Sequence, residues 1–327
     1  MSTPSRTLAM GQDEAPESNR PTVVAPFGRA LTRLGEARPD VVGLTADLGK
    51  YTDILLFRDA FPERFFNVGI AEADMVCTAA GLATTGKIAF ATGFACFLLG
   101  RTMDQILVSV AYSNTNVKLV GTHTGLAVGE DGPTAQMIVD IAYMRAIPNM
   151  IVVQPADWEE TVQATRALTE YEGPAYFRLG RPKVKGIFDS SYNFEIGKGR
   201  VVKKGSDLVI FATGVMVQES LLALEMLAEE GINVSLVNIS TLKPIDRDII
   251  IEMASSHKFI ITAEDHNCIG GLGDAVGEVL LEAQISKPFT RIAVKDRFAE
   301  TGTGAELFEK YGLSANHISL AVKDFLK

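Results

Sequence analysis

Cysteine is scarce in this sequence, and long apolar runs are missing. The three cysteines, Cys77, Cys96 and Cys268, are odd in number and far apart, so they form neither a disulfide framework nor a zinc-binding pattern. This usage is typical of a reducing compartment, and we expect a cytoplasmic protein. The longest uncharged apolar stretch, 88–100, is shorter than the about 20 residues that a membrane-spanning helix needs, so no membrane association is expected.

Positively charged runs and several well-known enzyme motifs are also missing. The chain has 31 Lys and Arg against 40 Asp and Glu, a net charge of −9, without the basic patch that binds nucleic acid. There is no Walker A sequence, no GxSxG and no HExxH, so no motif supports an NTPase or a hydrolase. The first 20 residues are polar and lack the apolar segment of a signal peptide, and we predict a disordered tail at 1–20.

What the sequence does contain is a regular alternation of short Val- and Ile-rich runs with longer helical patterns. Such alternation predicts βαβ units around parallel sheets, and it occurs in two series. A segment rich in Gly and Lys separates the series and has the composition of a linker. We therefore predict an α/β fold of two doubly wound domains, at 21–185 and 206–327, joined by a linker at 186–205.

The first chemically suggestive loop leads into Glu72, which is predicted in the first turn of a helix. An acidic residue there is explained equally well by the helix dipole alone. Its neighbours in FNVGIAEADM are largely apolar, however, and a buried carboxylate of raised pKa can hold or pass a proton near neutral pH.

The second loop places Phe94 and Phe97 just beyond a predicted strand, with Arg101 opening the next helix. Two aromatic residues three apart usually belong to a core. Their position past a strand end, where doubly wound sheets bind ligands, also suits the stacking of a planar heterocycle.

The third loop, 121–136, is long for a compact domain and contains four glycines together with His123, Glu130 and Asp131. A structural turn is one interpretation, and the close approach of backbone to a ligand is the other. The fourth loop carries Arg178 and Arg181 after a strand, where they form surface ion pairs or bind a phosphate.

A glycine-rich turn in the second domain is a weak candidate for a ligand site. In AEDHNCIGGLGD the glycines do not match the dinucleotide-binding pattern GxGxxG. We therefore interpret Glu264, Asp265 and His266 as an interface or a fold-supporting feature.

Taken together and in this order, these motifs make the chain from about Pro21 to Leu326 resemble the C-terminal half of transketolase. That half comprises the pyrimidine-binding and C-terminal domains, and it occurs as a separate subunit in split transketolases. 1-Deoxyxylulose-5-phosphate synthase and the β subunits of 2-oxo acid dehydrogenases share the architecture but match less well. The motifs that carry the resemblance are ADL at 46–48, FFNVGIAEADM, GFACF, THTGLAVGEDGPT, RLGRP, STLKPID, EDHNCIGGLG and DRFAETG.

The resemblance implies a set of cofactor contacts. Glu72 matches the glutamate that hydrogen-bonds the aminopyrimidine of thiamine diphosphate and promotes its imino tautomer. Phe97 matches the aromatic residue that stacks on the pyrimidine, and Phe94 its neighbour. Asp47 and Arg101 complete the predicted cofactor contacts.

The resemblance also implies substrate contacts and catalysis. His123 and Asp131 match residues that reach sugar oxygens, and His123 is also a predicted catalytic residue. Arg181 and Arg178 match cations for the substrate phosphate. Ala135, however, stands where transketolases usually have His, and an arginine expected near the start of the domain is missing. A branched, shortened or sulfonated sugar is therefore a plausible substrate.

Thiamine diphosphate enzymes hold the diphosphate and Mg²⁺ through a GDG motif, which this chain lacks. No metal-binding residue is therefore predicted in it. The resemblance implies a transketolase-type transferase that is catalytic only with an N-terminal subunit carrying GDG, in an α2β2 assembly built on a homodimer of this chain. Two alternatives stay open: a 2-oxo acid dehydrogenase β subunit, and a non-catalytic scaffold.

Overall fold

The computed structural model describes residues 24–326, and the predicted disordered tail lies outside that range. Residues 24–326 contain twelve strands: β1 (Val41–Thr45), β2 (Phe65–Asn67), β3 (Ile88–Phe94), β4 (Val117–Thr122), β5 (Ile151–Val153), β6 (Ala175–Arg178), β7 (Arg200–Lys203), β8 (Leu208–Ala212), β9 (Val234–Asn238), β10 (Thr241–Lys243), β11 (Ile260–Asn267) and β12 (Phe289–Val294). They form two sheets, which confirms the predicted α/β fold of two domains.

Twelve α-helices flank the sheets in the described residues: α1 (Val24–Ala37), α2 (Leu55–Ala60), α3 (Glu72–Thr84), α4 (Ala95–Gly100), α5 (Met103–Gln105), α6 (Asp140–Ala146), α7 (Trp158–Glu170), α8 (Met216–Glu229), α9 (Arg247–Ser256), α10 (Leu272–Glu282), α11 (Gly304–Tyr311) and α12 (Ala315–Leu326). Short 3₁₀ turns occupy Pro62–Arg64 and Leu126–Asp131, and a π-helical segment occupies Ile106–Tyr112. Within residues 24–326, none of the helices combines the length and the apolar character needed to cross a bilayer.

The first sheet has the strand order β10-β5-β6-β4-β3-β1-β2 and is parallel except for β10. β10 lies in STLKPID, which we did not predict as a strand, and it pairs with β5 across the domain boundary. The second sheet has the order β12-β11-β8-β9-β7 and is parallel except for β7. β7 lies inside the predicted linker, so the second sheet begins earlier in the chain than its predicted domain.

Local sequence signals set several helix ends. The Asp157 side chain accepts a hydrogen bond from the Glu160 N–H at 2.9 Å and so caps α7. Thr303 and Glu306 form a reciprocal capping box at the start of α11. After the glycine-rich loop the chain becomes helical only at Asp140, and residues 103–112 are divided between α5 and the π-helical segment.

The two domains share part of their core. One face of the first sheet packs around Phe27, whose ring centroid lies 6.0 Å from that of Phe90 and 6.2 Å from that of Phe177. On the other face a continuous cluster of buried side chains runs from Leu119 in β4 to Phe211 in β8. Burial of apolar surface stabilises the packing of the elements that share it. This cluster therefore stabilises the packing of the second sheet against the first.

Candidate active site

The predicted site residues gather at one edge of the first sheet. Phe94 ends β3, His123 follows β4, and Asp47 lies just after β1. β4, β3 and β1 are adjacent and parallel, so their carboxyl ends meet at the same edge, where doubly wound sheets bind ligands.

Glu72 is a buried carboxylate at the start of α3, with 3% of its surface exposed. Its Oε2 accepts a hydrogen bond from Arg101 Nη1 at 3.2 Å, and this is the one side chain among the described residues that hydrogen-bonds it. The guanidinium carbon of Arg101 also lies 4.8 Å from the centroid of the Phe97 ring, a cation–π distance. Arg101 therefore connects the carboxylate to the aromatic residues.

Four rings form an aromatic cluster at this edge. Phe94 stacks on His123 with the centroids 3.9 Å apart and on Phe97 with the centroids 6.1 Å apart. Tyr51, which sequence reasoning missed, meets Phe94 edge to face at 6.3 Å and is largely exposed. Its position shortly after β1 was the available signal, since that loop lies at the ligand-binding edge.

His123 is held in a specific, neutral form. Its backbone lies in the left-handed region, with φ of 56°, and its Nδ1 is 3.0 Å from Thr122 Oγ1. Burial, together with the nearby positive charge of Arg181, lowers the pKa of His123 to about 4. A neutral imidazole has one donor and one acceptor nitrogen, so it can hydrogen-bond a hydroxyl group of a ligand.

Arg181 follows β6 and contacts the glycine-rich loop at 121–136, and its guanidinium is partly exposed. Its Nη1 donates to the Val128 carbonyl at 2.6 Å and lies 3.7 Å from Glu130 Oε2 and 3.9 Å from Asp131 Oδ2. The two long contacts leave this cation available to an incoming anion, because a phosphate oxygen could form shorter, charge-assisted hydrogen bonds.

Arg178 does not lie where a substrate could reach it, which corrects its predicted contact with phosphate. It is 1% exposed, and its Nε and Nη2 donate to the two carboxylate oxygens of Asp140 at 2.7 and 3.1 Å. Nη2 also donates to the carbonyl of Asp265 at 3.0 Å. Although burial opposes ionisation of Asp140, the Arg178 guanidinium holds the pKa of that carboxyl below its usual range. Arg178 thus joins the two domains.

Asp47 and Ala135 lie at the margins of the site. Asp47 has a left-handed backbone, with φ of 61°, and exchanges hydrogen bonds with Asn67 at 3.0 and 3.2 Å. Ala135 is buried in the turn that follows Gly132. Among residues 24–326, no group of three or more His, Cys, Asp or Glu is placed to hold a metal ion.

Comparisons with known proteins match most of the chain. A family model for the pyrimidine-binding domain of transketolase matches residues 20–186, and one for the transketolase C-terminal domain matches 197–318. A protein of Methanocaldococcus jannaschii with the provisional name transketolase C-terminal section is 45% identical over 303 residues, covering 92% of this chain and 95% of its own.

Two further similarities extend this result. A 6-deoxy-6-sulfo-D-fructose transketolase subunit of a Clostridium species is 39% identical over 284 residues, covering 87% of this chain and 88% of its own. A solved structure described as a split-gene transketolase in an inactive β4 tetramer superposes with a TM-score of 0.87 at 44% identity, covering 93% of this chain and 98% of that one.

Proposed function

This chain belongs to the transketolase family, and from that premise we propose that it is the C-terminal subunit of a two-subunit, thiamine-diphosphate-dependent transketolase. The assembled enzyme would transfer a two-carbon ketol group from a ketose phosphate to an aldose acceptor. One observation carries the proposal: a buried carboxylate, Glu72, is connected through Arg101 to the half-buried ring of Phe97 at the carboxyl edge of the first sheet.

The residues present fit an aminopyrimidine ring. Glu72 offers a desolvated acceptor for a ring nitrogen, and the faces of Phe94 and Phe97 offer stacking surface. When bound, thiamine diphosphate supplies the carbanion and electron sink that cleave and form carbon–carbon bonds. Glu72 would hold the proton on the ring nitrogen, and Arg101 would orient Glu72 through their hydrogen bond.

The residues around the glycine-rich loop suit the substrate. Neutral His123 would hydrogen-bond a sugar oxygen and shuttle a proton there, and Asp131 would accept a hydrogen bond from a sugar hydroxyl. Arg181 would bind the terminal phosphate or another terminal anion. The small Ala135 leaves a site in which a branched, shortened or sulfonated sugar would fit, and the name of the Clostridium relative describes a sulfonated sugar as its substrate.

The proposed partner is an N-terminal subunit with a GDG motif, which would hold the diphosphate and Mg²⁺ through oxygen ligands. This chain would bind a second copy of itself to form the core of an α2β2 assembly in the cytoplasm. Two observations support the homodimer: exposed apolar side chains on the segment 106–112, and the β4 tetramer of the similar solved structure.

The decisive experiment mixes the purified chain with the GDG-containing product of a neighbouring gene, thiamine diphosphate and Mg²⁺. Ketol transfer is then measured with a panel of phosphorylated and sulfonated ketoses. We expect transfer by the mixture and none by either chain alone. Failure with every ketose would contradict the proposal.

The same mixture separates the alternatives. Reduction of an artificial electron acceptor with pyruvate would identify a 2-oxo acid dehydrogenase instead. A scaffold would show no cofactor dependence, so titration of thiamine diphosphate should then give no calorimetric or spectroscopic response.

A further inference from the structure

The second domain holds the glycine-rich loop through one buried carboxylate. Asp265, in β11, accepts hydrogen bonds from the backbone N–H groups of Leu126 at 2.8 Å and of Ala127 at 3.2 Å. We propose that Asp265 is a positioning residue for the substrate, because it fixes the loop segment whose Val128 carbonyl accepts a hydrogen bond from Arg181. This inference rests on the proposed function.

The fit between Asp265 and the loop is tight. Asp265 is 1% exposed, and a Cβ added at Gly125 would lie only 2.1 Å from Asp265 Oδ2. Gly125 also has φ of 72°, which L side chains rarely adopt. Glycine at this position therefore allows the loop backbone to close over the carboxylate.

Asp265 is itself fixed by the first domain. Arg178 donates to its backbone carbonyl at 3.0 Å, and the same guanidinium is paired with Asp140. The backbone of Asp265 is thus anchored to the first domain by Arg178. Its carboxylate in turn binds the glycine-rich loop, which belongs to that same domain. Its side chain has little freedom to follow the loop if the loop moves.

The loop segment that Asp265 holds also contacts Arg181, the predicted anion-binding residue. Directly after the two N–H groups, the Val128 carbonyl accepts the 2.6 Å hydrogen bond from Arg181. Two and three residues after Val128, Glu130 and Asp131 face the same guanidinium. A second contact supports the arrangement, since Gln136 Nε2 donates both to Gly129 O at 3.1 Å and to Glu300 O of the second domain at 3.0 Å.

Asp265→Asn tests the proposal, and Glu264→Gln is its matched control. Both oxygens of Asp265 accept an N–H, so an amide must lose one bond whichever way it is oriented. Glu264 is equally buried and likewise accepts two N–H groups, from Leu272 at 2.7 Å and from Gly273 at 2.8 Å. Those donors, however, begin α10 in its own domain.

Two measurements on the assembled enzyme are compared at pH 8. In Asp265→Asn we expect hydrogen exchange at the Leu126 and Ala127 amides to accelerate about tenfold or more. The KM for a phosphorylated ketose should rise about tenfold, with kcat changed less than about twofold. Glu264→Gln should change neither quantity, although it lowers overall stability.

Each outcome decides the question. Unchanged exchange and KM in Asp265→Asn, or equal changes in Glu264→Gln, would overturn the positioning role. If Asp265→Asn does not fold, hydrogen exchange in the wild-type protein decides the question. Exchange of the Leu126 and Ala127 amides as fast as that of the amide of the exposed residue Glu130 would refute the restraint of the loop by Asp265. If the wild-type enzyme shows no ketol transfer, the proposed function is wrong. The hydrogen-exchange comparison still tests whether Asp265 restrains the loop.

Discussion

The imidazole of His123 stacks on the ring of Phe94, with centroids 3.9 Å apart and planes inclined by 25°. The Phe94 ring covers one face of the buried imidazole and so excludes water from it. Exclusion of water disfavours the charged form, and the adjacent Arg181 adds to the effect.

We therefore expect His123 to stay neutral through the physiological range. Its pKa is lowered to about 4, against 6.5 for the unperturbed side chain. NMR titration of isotopically labelled imidazole, with His123→Asn to assign the signal, measures this directly. A midpoint near 6.5 in the folded protein would contradict the expectation.

The same shift has a consequence for stability. Between pH 6.5 and about 4 the unfolded chain binds a proton at His123 that the native state does not, so the free energy of unfolding should decrease as the pH falls through this window. Across the whole window, His123 lowers the free energy of unfolding by about 3 kcal/mol. Urea denaturation at several pH values should show a smaller decrease in His123→Asn than in the wild type.

Glu72→Gln should abolish most of the proposed activity without unfolding the protein. The amide keeps the size of the side chain but cannot hold the proton of a ring nitrogen in the same way, and we expect a loss of about 100-fold or more in kcat. Asp74→Asn, an exposed acid in the same helical turn, serves as the control. Full activity in Glu72→Gln would remove the central mechanistic claim.

Arg178→Lys should lower stability rather than change phosphate recognition. A lysine keeps the charge but cannot span both oxygens of Asp140 and the Asp265 carbonyl, so part of the buried network is left unpaired. We expect a loss of about 3 kcal/mol in the free energy of unfolding by urea denaturation. A change below about 0.5 kcal/mol would show that the network is energetically unimportant.

Arg181→Ala should change phosphate recognition rather than lower stability. Its guanidinium is partly exposed, so its removal should cost little stability, but the KM for a phosphorylated ketose should rise about tenfold or more. The KM for a substrate without a terminal anion should stay nearly constant. Arg166→Ala, an exposed arginine on α7, is the matched control. Equal effects on both substrates would argue against an anion site at Arg181.

Local patterns predicted much of the site, and long-range contacts account for what they missed. Glu72 in a first helical turn and Phe94 at a strand end follow from periodicity over short segments. The bond from Leu126 to Asp265 joins residues 139 apart, and no local pattern contains it. Likewise Arg178 and Arg181 look alike in sequence, and only the buried carboxylate of Asp140 distinguishes the structural residue from the exposed one.

The segment 106–112 has an exposed apolar face formed by Leu107, Val108 and Tyr112. Tyr112 is 85% exposed, and the segment packs against α3, which begins at Glu72. Residues five apart lie close together on a π-helical turn, so Leu107 and Tyr112 share one surface. A second copy of this chain bound there would cover apolar area beside the proposed cofactor site.

Tyr112→Glu should therefore weaken self-association, because a charge buried in an interface without a partner costs more than the apolar contact gains. Light scattering of the purified chain at a series of concentrations should show a shift toward the monomer. Leu281→Glu places the same charge on α10 at a residue that is 80% exposed, and it should leave the mass unchanged. If Tyr112→Glu keeps the wild-type mass but prevents binding of the GDG subunit, the face binds that subunit instead and the proposed homodimer contact lies elsewhere.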